Sequence, residues 1–250
     1  MTQYGASFAA VYDSLMAEDF DYAAWANYYL ELLASAGVRP GYLVECGCGT
    51  ASLGIQLAQR GIRVLGVDQS PDMLEIAARR AREAGVPLTL VRQDIALLQL
   101  GRRADAILAT CDTVNYLASA RAASAFFRCA HAALKPGGAL AFDISSRYKL
   151  EEQMGDAPFF DVRDELAYLW KNRLDRASHT LDMELTFFVR EADGRYRRFD
   201  ERHRQRAHSA AELEQWLTEA GFVDIRAFGG QTFAPPTHAD ARIHFLAIKQ

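Results

Sequence analysis

The segment Glu45-Cys-Gly-Cys-Gly-Thr-Ala-Ser-Leu-Gly54 sets an acid directly against a glycine-rich turn. Glycine lets a chain turn tightly and approach a bound molecule, and a helix that starts there offers free N–H groups. Alone, those features specify only a nucleotide-like ligand. A dinucleotide site calls for G-x-G-x-x-G, and Ser52 stands where its third glycine belongs. Glu45 discriminates further. Beside a pyrophosphate its carboxylate meets like charge, whereas an ammonium and a sulfonium are attracted to it. The charge logic therefore favours S-adenosylmethionine (SAM).

Two more acids follow at the ends of apolar runs. Asp68 closes IRVLGVD about twenty residues further on, where a carboxylate can accept from both hydroxyls of a ribose. Asp94 closes PLTLVRQD, placed to accept from an adenine amino group with Ile95 against the ring. An acid at the end of one strand is commonly a turn or cap residue. Acids ending successive strands of an open α/β sheet gather at its carboxyl edge, where such folds bind ligands. The other reactive side chains say less. Cys46 and Cys48 form C-x-C, without the spacing of a zinc or redox pair, so no metal is expected. His179, His203, His238 and His244 are candidate bases, each equally readable as a surface or structural residue, and no catalytic residue is assigned.

The elements that must position these groups read as follows. The first 36 residues are helical in pattern, with Tyr22, Trp25, Tyr28 and Tyr29 crowding one stretch, and Gly37 and Pro40 end that region. GYLVEC, IRVLGVD, PLTLVRQD, ADAILATCD and ALAFDIS read as strands, separated by helical stretches; Ser70 caps one helix, with Pro71 in its first position, and KPGG reads as a turn. This rhythm predicts βαβ units and a parallel, doubly wound sheet. From about Arg147 to Arg206 the period becomes two, and Asp193-Gly194 marks a hairpin, which predicts a small antiparallel insert of three or four strands. Ser209 to Glu212 matches a capping box, and FVDIRAFG and RIHFLAIK close the chain as strands. The expected division is a ligand-binding core of residues 1–146 and 207–250, with an N-terminal helical lid, and an insert of residues 147–206.

Glu45-x-Gly47-Cys48-Gly49-Thr50, Val67-Asp68-x-Ser70-Pro71-Asp72-Met73-Leu74, Gln93-Asp94-Ile95 and Leu134-Lys135-Pro136-Gly137-Gly138, in this order and spacing, resemble the class I SAM-dependent methyltransferase family. The resemblance spans roughly residues 40–145. It implies an α/β fold: a Rossmann-like three-layer sandwich on a mostly parallel seven-stranded sheet whose last strand is antiparallel. It also implies that Glu45, Gly47 and Gly49 hold the methionine part of SAM, Asp68 the ribose and Asp94 the adenine, with Gln69, Met73 and Ile95 packed nearby. Ala51 stands where many members carry glycine. YDSLM…FDY…W and CDTVNYL are similar to a bacterial group of small methyltransferases with an antiparallel insert. That likeness puts Tyr12 and Trp25 over the cofactor and Cys111 to Asn115 beneath its methionine tail; a core-facing aromatic stripe is the other reading of the N-terminal rings.

Methyl transfer is an in-line displacement from an activated donor, so orientation and exclusion of water carry it and no nucleophilic side chain is required. An insert over the carboxyl edge favours a small-molecule acceptor, with S-adenosylhomocysteine (SAH) as product. The N-P-P-Y-type signature of amino or base methylation is missing after the fourth strand. Three alternatives stay open: SAM or SAH binding without transfer, methylation of RNA or protein, and, remotely, a nicotinamide-dependent oxidoreductase. The formal net charge of −4 gives no basic footprint for nucleic acid. Arginines do cluster between Arg195 and Arg206, but their acidic neighbours and alternation read as a solvated strand face. Few cysteines, no apolar leader and no long apolar run point to a cytoplasmic protein without a membrane span, monomeric or homodimeric.

Overall fold

The computed structural model describes residues 4–16 and 21–250. Two helices open the chain, α1 (Ala6–Met16) and α2 (Tyr22–Ser35), the second capped by Asp21, whose carboxylate accepts from the N–H groups of Ala23 and Ala24. There follow β1 (Tyr42–Cys46), α3 (Ser52–Gln59), β2 (Arg63–Asp68), α4 (Pro71–Glu83), β3 (Leu88–Arg92), β4 (Ala104–Ala109), α5 (Ala120–Ala133) and β5 (Leu134–Ser145). After the insert come α6 (Ala210–Glu219), β10 (Phe222–Gly229) and β11 (Arg242–Lys249). These strands form one seven-stranded sheet in the order β10-β11-β5-β4-β1-β2-β3, parallel throughout except for β11. Strand order reverses between β1 and β4, and a crevice at the carboxyl ends of the strands opens at such a reversal.

Period-two alternation in β1 explains the two cores. Leu43 faces α2 and α3, meeting Tyr29, Leu32, Leu53 and Leu57, whereas Val44 faces the other way, toward the layer built on Phe126, Phe127 and Leu217 of α5 and α6. Helices therefore cover both sheet faces, and each fully buried large side chain contributes about 1.5–3 kcal/mol. The local signals hold: Ser70 accepts from Met73 N–H at 3.2 Å with Pro71 in the first turn, and Ser209 and Glu212 form the reciprocal capping box. KPGG is not a free turn. It lies inside β5, where Gly137 adopts φ +75° and the register against β4 shifts.

The insert begins with a π-helical turn, Tyr148–Met154, and continues as a four-stranded antiparallel sheet: β6 (Pro158–Val162), β7 (Leu166–Asp175), β8 (Thr180–Arg190) and β9 (Tyr196–Arg206). Leu181, Met183, Leu185 and Phe187 point from β8 toward α1, where Phe8, Val11 and Leu15 meet them. The opposite face is charged and paired: Arg204 reaches both oxygens of Asp182, and Arg202 lies 3.2 Å from Glu184. Gly194, at φ +83°, makes the hairpin turn between β8 and β9. Among the described residues no helix is long and apolar enough to cross a membrane.

Candidate functional site

The loop from Gly47 to Ala51 leaves β1 in a run of left-handed residues, with φ of +69°, +53° and +60° at Gly47, Gly49 and Ala51. A Cβ at Gly47 would collide with the Thr113 side chain, so the glycine is needed for close packing as well as for its dihedral. The loop is held from the side by Asp68, one carboxylate oxygen accepting from Gly49 N–H at 2.8 Å and the other from Ser70 N–H at 2.9 Å. Burial raises the Asp68 carboxyl from its usual value, and those N–H donors oppose the shift.

Beside this loop lies a cavity of about 460 Å³. Gly47, Gly49, Asp68, Gln69, Met73 and Ile95 line one side of it, and Tyr4, Tyr12, Cys111 and Tyr116 close the other. A second cavity of about 390 Å³ adjoins it and shares those same four closing residues. Its remaining wall is mostly insert and α1: Phe8, Tyr168, Trp170, Met183 and Phe187 give it an aromatic and apolar surface. Lys149, Asp112, Arg242 and His203 supply its polar edge.

Eight of the twelve residues expected at the site thus meet around one space. Glu45, Asp94, Trp25 and Asn115 do not line it. Glu45 is buried just beneath the loop, where Gly54 N–H donates to it and its Oε2 atom lacks a hydrogen-bond partner among the described residues. Burial, then the nearby charge of Asp68, pushes its carboxyl up to about 8. Asp94 caps a short 3₁₀ turn, Ile95–Leu97, by accepting from Ala96 N–H at 2.9 Å. Trp25 is packed into the α2 core against Tyr29 and His244, with the Arg242 guanidinium 5.3 Å from its ring centroid. Asn115 is wholly buried and structural in its contacts. Its amide donates to the carbonyls of Ser145 and Arg206 and accepts from Ser145 N–H, joining the segment after β4 to the ends of β5 and β9.

Of the four histidines considered, His203 alone lines a cavity, with Nδ1 3.4 Å from the Tyr116 hydroxyl; burial lowers its imidazole to about 4. His179 pairs with Glu151, His238 is exposed, and His244 is sealed under Tyr28 and Tyr29. Sequence patterns missed Tyr4 and Tyr116, whose hydroxyls bond to each other at 2.8 Å across the junction of the two cavities. They also missed a buried polar knot. The Asp143 carboxylate accepts from Cys111 N–H, Asp112 N–H, the Tyr29 hydroxyl and Arg242, and Arg242 also reaches Asp112 at 2.6 Å. The knot holds Cys111 and Asp112 in consecutive left-handed conformations, φ +55° and +64°. Asp143 lies in AFDIS, and its charge within an otherwise apolar strand was the one available signal.

The features fit SAM. A buried carboxylate with an orphaned oxygen lies under the loop, a second carboxylate ends β2, and among the described residues lining the cavity Arg92 is the one basic side chain. Residues 43–138 match a methyltransferase domain family. A protein of Geobacillus sp. (strain WCH70), named as a methyltransferase, is 36% identical over 245 residues, covering 97% of this chain and 98% of its own length. A dTDP-3-amino-3,4,6-trideoxy-alpha-D-glucopyranose N,N-dimethyltransferase of Streptomyces venezuelae is 27% identical over 222 residues, covering 87% and 91%. Among solved structures, an S-adenosylmethionine-dependent methyltransferase from Clostridium acetobutylicum ATCC 824 superposes with a TM-score of 0.88 at 29% identity, covering 97% of this chain and 98% of that one.

Proposed function

The chain belongs to the class I SAM-dependent methyltransferases, and from that premise we propose that its acceptor is a small molecule held in the second cavity. The observation that carries this reading is the shared wall: Tyr4, Tyr12, Cys111 and Tyr116 border both cavities, so a donor in the first and an acceptor in the second would meet at one boundary. The size and apolar lining of the second cavity support a small acceptor over a polymer, as does the amino-sugar substrate named for the Streptomyces relative.

SAM, when bound, supplies a methyl group already activated by its sulfonium. The chain's part is to bind, orient and keep water out. Asp68 takes the ribose hydroxyls; Gln69, Met73 and Ile95 take the nucleoside. Gly47 and Gly49 let the backbone approach the methionine part, and its ammonium favours the ionised form of Glu45, which burial holds back in the free protein. Tyr4, Tyr12 and Tyr116 present aromatic rings to the sulfonium, an attraction of roughly 0.5–2 kcal/mol. Trp25, Asn115 and Asp94 act from behind, by holding the walls that others present. Residues 147–206 form the cover of the acceptor site, between core segments 1–146 and 207–250. The free thiols Cys46, Cys48, Cys111 and Cys129 suit a cytoplasmic enzyme.

The test uses methyl-labelled SAM with cell extract, followed by ultrafiltration. Label appearing in a filtrate species that separates from SAM by chromatography, and only when the enzyme is added, supports a small acceptor. Label retained on protein or RNA overturns it.

A further inference from the structure

Helix α1 and the residues leading into it supply Tyr12 and Tyr4 to the wall that both cavities share, and the helix is fastened at each end to a different part of the molecule. At its start, Glu201 of β9 accepts from the N–H groups of Tyr4 and Gly5, and Arg197 donates to the Ser7 hydroxyl at 3.0 Å. That end belongs to the insert. Near its other end, Asp13 belongs to the cofactor loop. Thr50, immediately after the glycines, donates its hydroxyl to Asp13 at 2.6 Å. Arg80 of α4 then binds all of these partners with one nitrogen: Asp13 at 3.0 Å, Thr50 Oγ1 at 3.0 Å and Ser52 Oγ at 2.7 Å. Thr50 and Ser52 are buried. Arg80 borders neither cavity.

A charge-assisted node of this kind fixes direction as well as distance. It ties three elements whose relative placement defines the cofactor space: the glycine loop, the start of α3, and α1, which carries the Tyr12 ring and follows closely on Tyr4. Ser70 adds a second tie, because its hydroxyl donates to the Tyr4 carbonyl at 2.7 Å while its N–H is held by Asp68. A shift of the glycine loop on cofactor binding is thereby passed to α1, and from α1 to the acceptor wall. We propose that Arg80 is a positioning residue that locks α1 to the cofactor loop through Asp13, so that an occupied cofactor cavity sets the wall of the acceptor cavity. The proposal rests on the assignment of the first cavity to SAM.

The experiment compares full-length wild type with Arg80→Ala, Arg80→Lys and Asp13→Asn, using SAH as the probe. SAH affinity is read by calorimetry and its release by stopped-flow displacement. Hydrogen exchange of residues 6–16 is followed with and without SAH. In wild type, SAH slows exchange across residues 6–16. Arg80→Ala releases SAH on the order of tenfold faster and loses that protection, the loss of affinity falling mainly in the off-rate. Arg80→Lys restores part of both. Asp13→Asn keeps the contacts of Arg80 to Thr50 and Ser52, so it retains more affinity but still loses the protection, which a general loss of stability would not produce. A folded Arg80→Ala protein with wild-type release and wild-type protection overturns the proposal; should that variant not fold, unchanged protection in Asp13→Asn does so. Wild type that fails to bind SAH overturns the cofactor assignment itself, a result distinct from either.

Discussion

Asp68 and Glu45 are carboxylates at the ends of neighbouring strands, yet the structure gives them different work. Asp68 lines the cavity with both oxygens already oriented by backbone N–H groups. Its removal deletes charge-assisted hydrogen bonds to a ribose, so Asp68→Ala should weaken SAM binding by about 1–3 kcal/mol. Calorimetry on the folded variant checks this, and unchanged affinity would remove Asp68 from the ribose. Glu45 is sealed, with its carboxyl raised from 4.5 to about 8 chiefly by burial. An acid raised on folding favours the native state below its unfolded value and loses that contribution as pH climbs through the folded one. Ionised Glu45 therefore destabilises the free protein by a few kcal/mol at most. Glu45→Gln should melt at the same temperature as wild type near pH 4 and at a higher one above pH 8, in the absence of SAM. Gly54 belongs to the same arrangement, since a Cβ there would strike the Glu45 carboxylate.

At the scale of elements, the segment after β4 is held by partners distant along the chain. Asn115 ties it to β5 and β9, and Asp143 with Arg242 holds the left-handed pair at Cys111 and Asp112. Asn115→Ala leaves the Ser145 N–H and carbonyl without their side-chain partner in a dry interior and takes from the Arg206 carbonyl one donor, the His208 N–H remaining. Unfolding free energy should fall by about 2–4 kcal/mol. SAH affinity of the folded fraction should fall far less, because the side chain does not reach the cavity. Urea unfolding and SAH titration of the same preparation separate the two; weakened SAH binding at full stability would make Asn115 a ligand contact. The readable elements were those with local causes. Ser70, Pro71, Ser209 and Glu212 announced their helices through capping chemistry within a few residues. KPGG was misleading because turn residues also make bulges inside strands, and only pairing of β5 with its neighbours decides which.

The whole molecule carries opposing titrations. His203, His208 and His244 are each lowered from 6.5 to about 4 by burial. A lowered histidine takes up a proton more readily when unfolded, so stability rises as pH increases from 4 to 6.5. Glu45 works in the other direction between 4.5 and about 8. Three histidines outweigh one glutamate in the shared interval, and above it Glu45 sets the direction, with Asp68 and Glu201 raised in the same sense. Stability of the free protein should therefore peak around pH 6.5 and decline toward pH 8. Chemical unfolding across pH 4–9 reads this directly, and the decline above the peak should shrink in Glu45→Gln.

Pattern along the chain specifies the alternation of strands and helices, the doubly wound sheet, the antiparallel insert, and a cofactor loop whose acid disfavours pyrophosphate. These are decided by neighbours along the chain: apolar period, caps, glycines and one well-placed charge. Tertiary structure alone decided which polar groups face the cavity. Asp94, Trp25 and Asn115 carry side chains suited to a ligand but spend them on a cap, a core and a joint. Tyr4 belongs to no motif and Tyr116 lies one residue past the stretch assigned to the site, and yet both stand at the junction of the two cavities, because the start of the chain and a segment more than a hundred residues later fold against the same edge. Periodicity assigns a side chain to a face, but what that face meets depends on contacts between distant elements, and those exist only in the packed molecule.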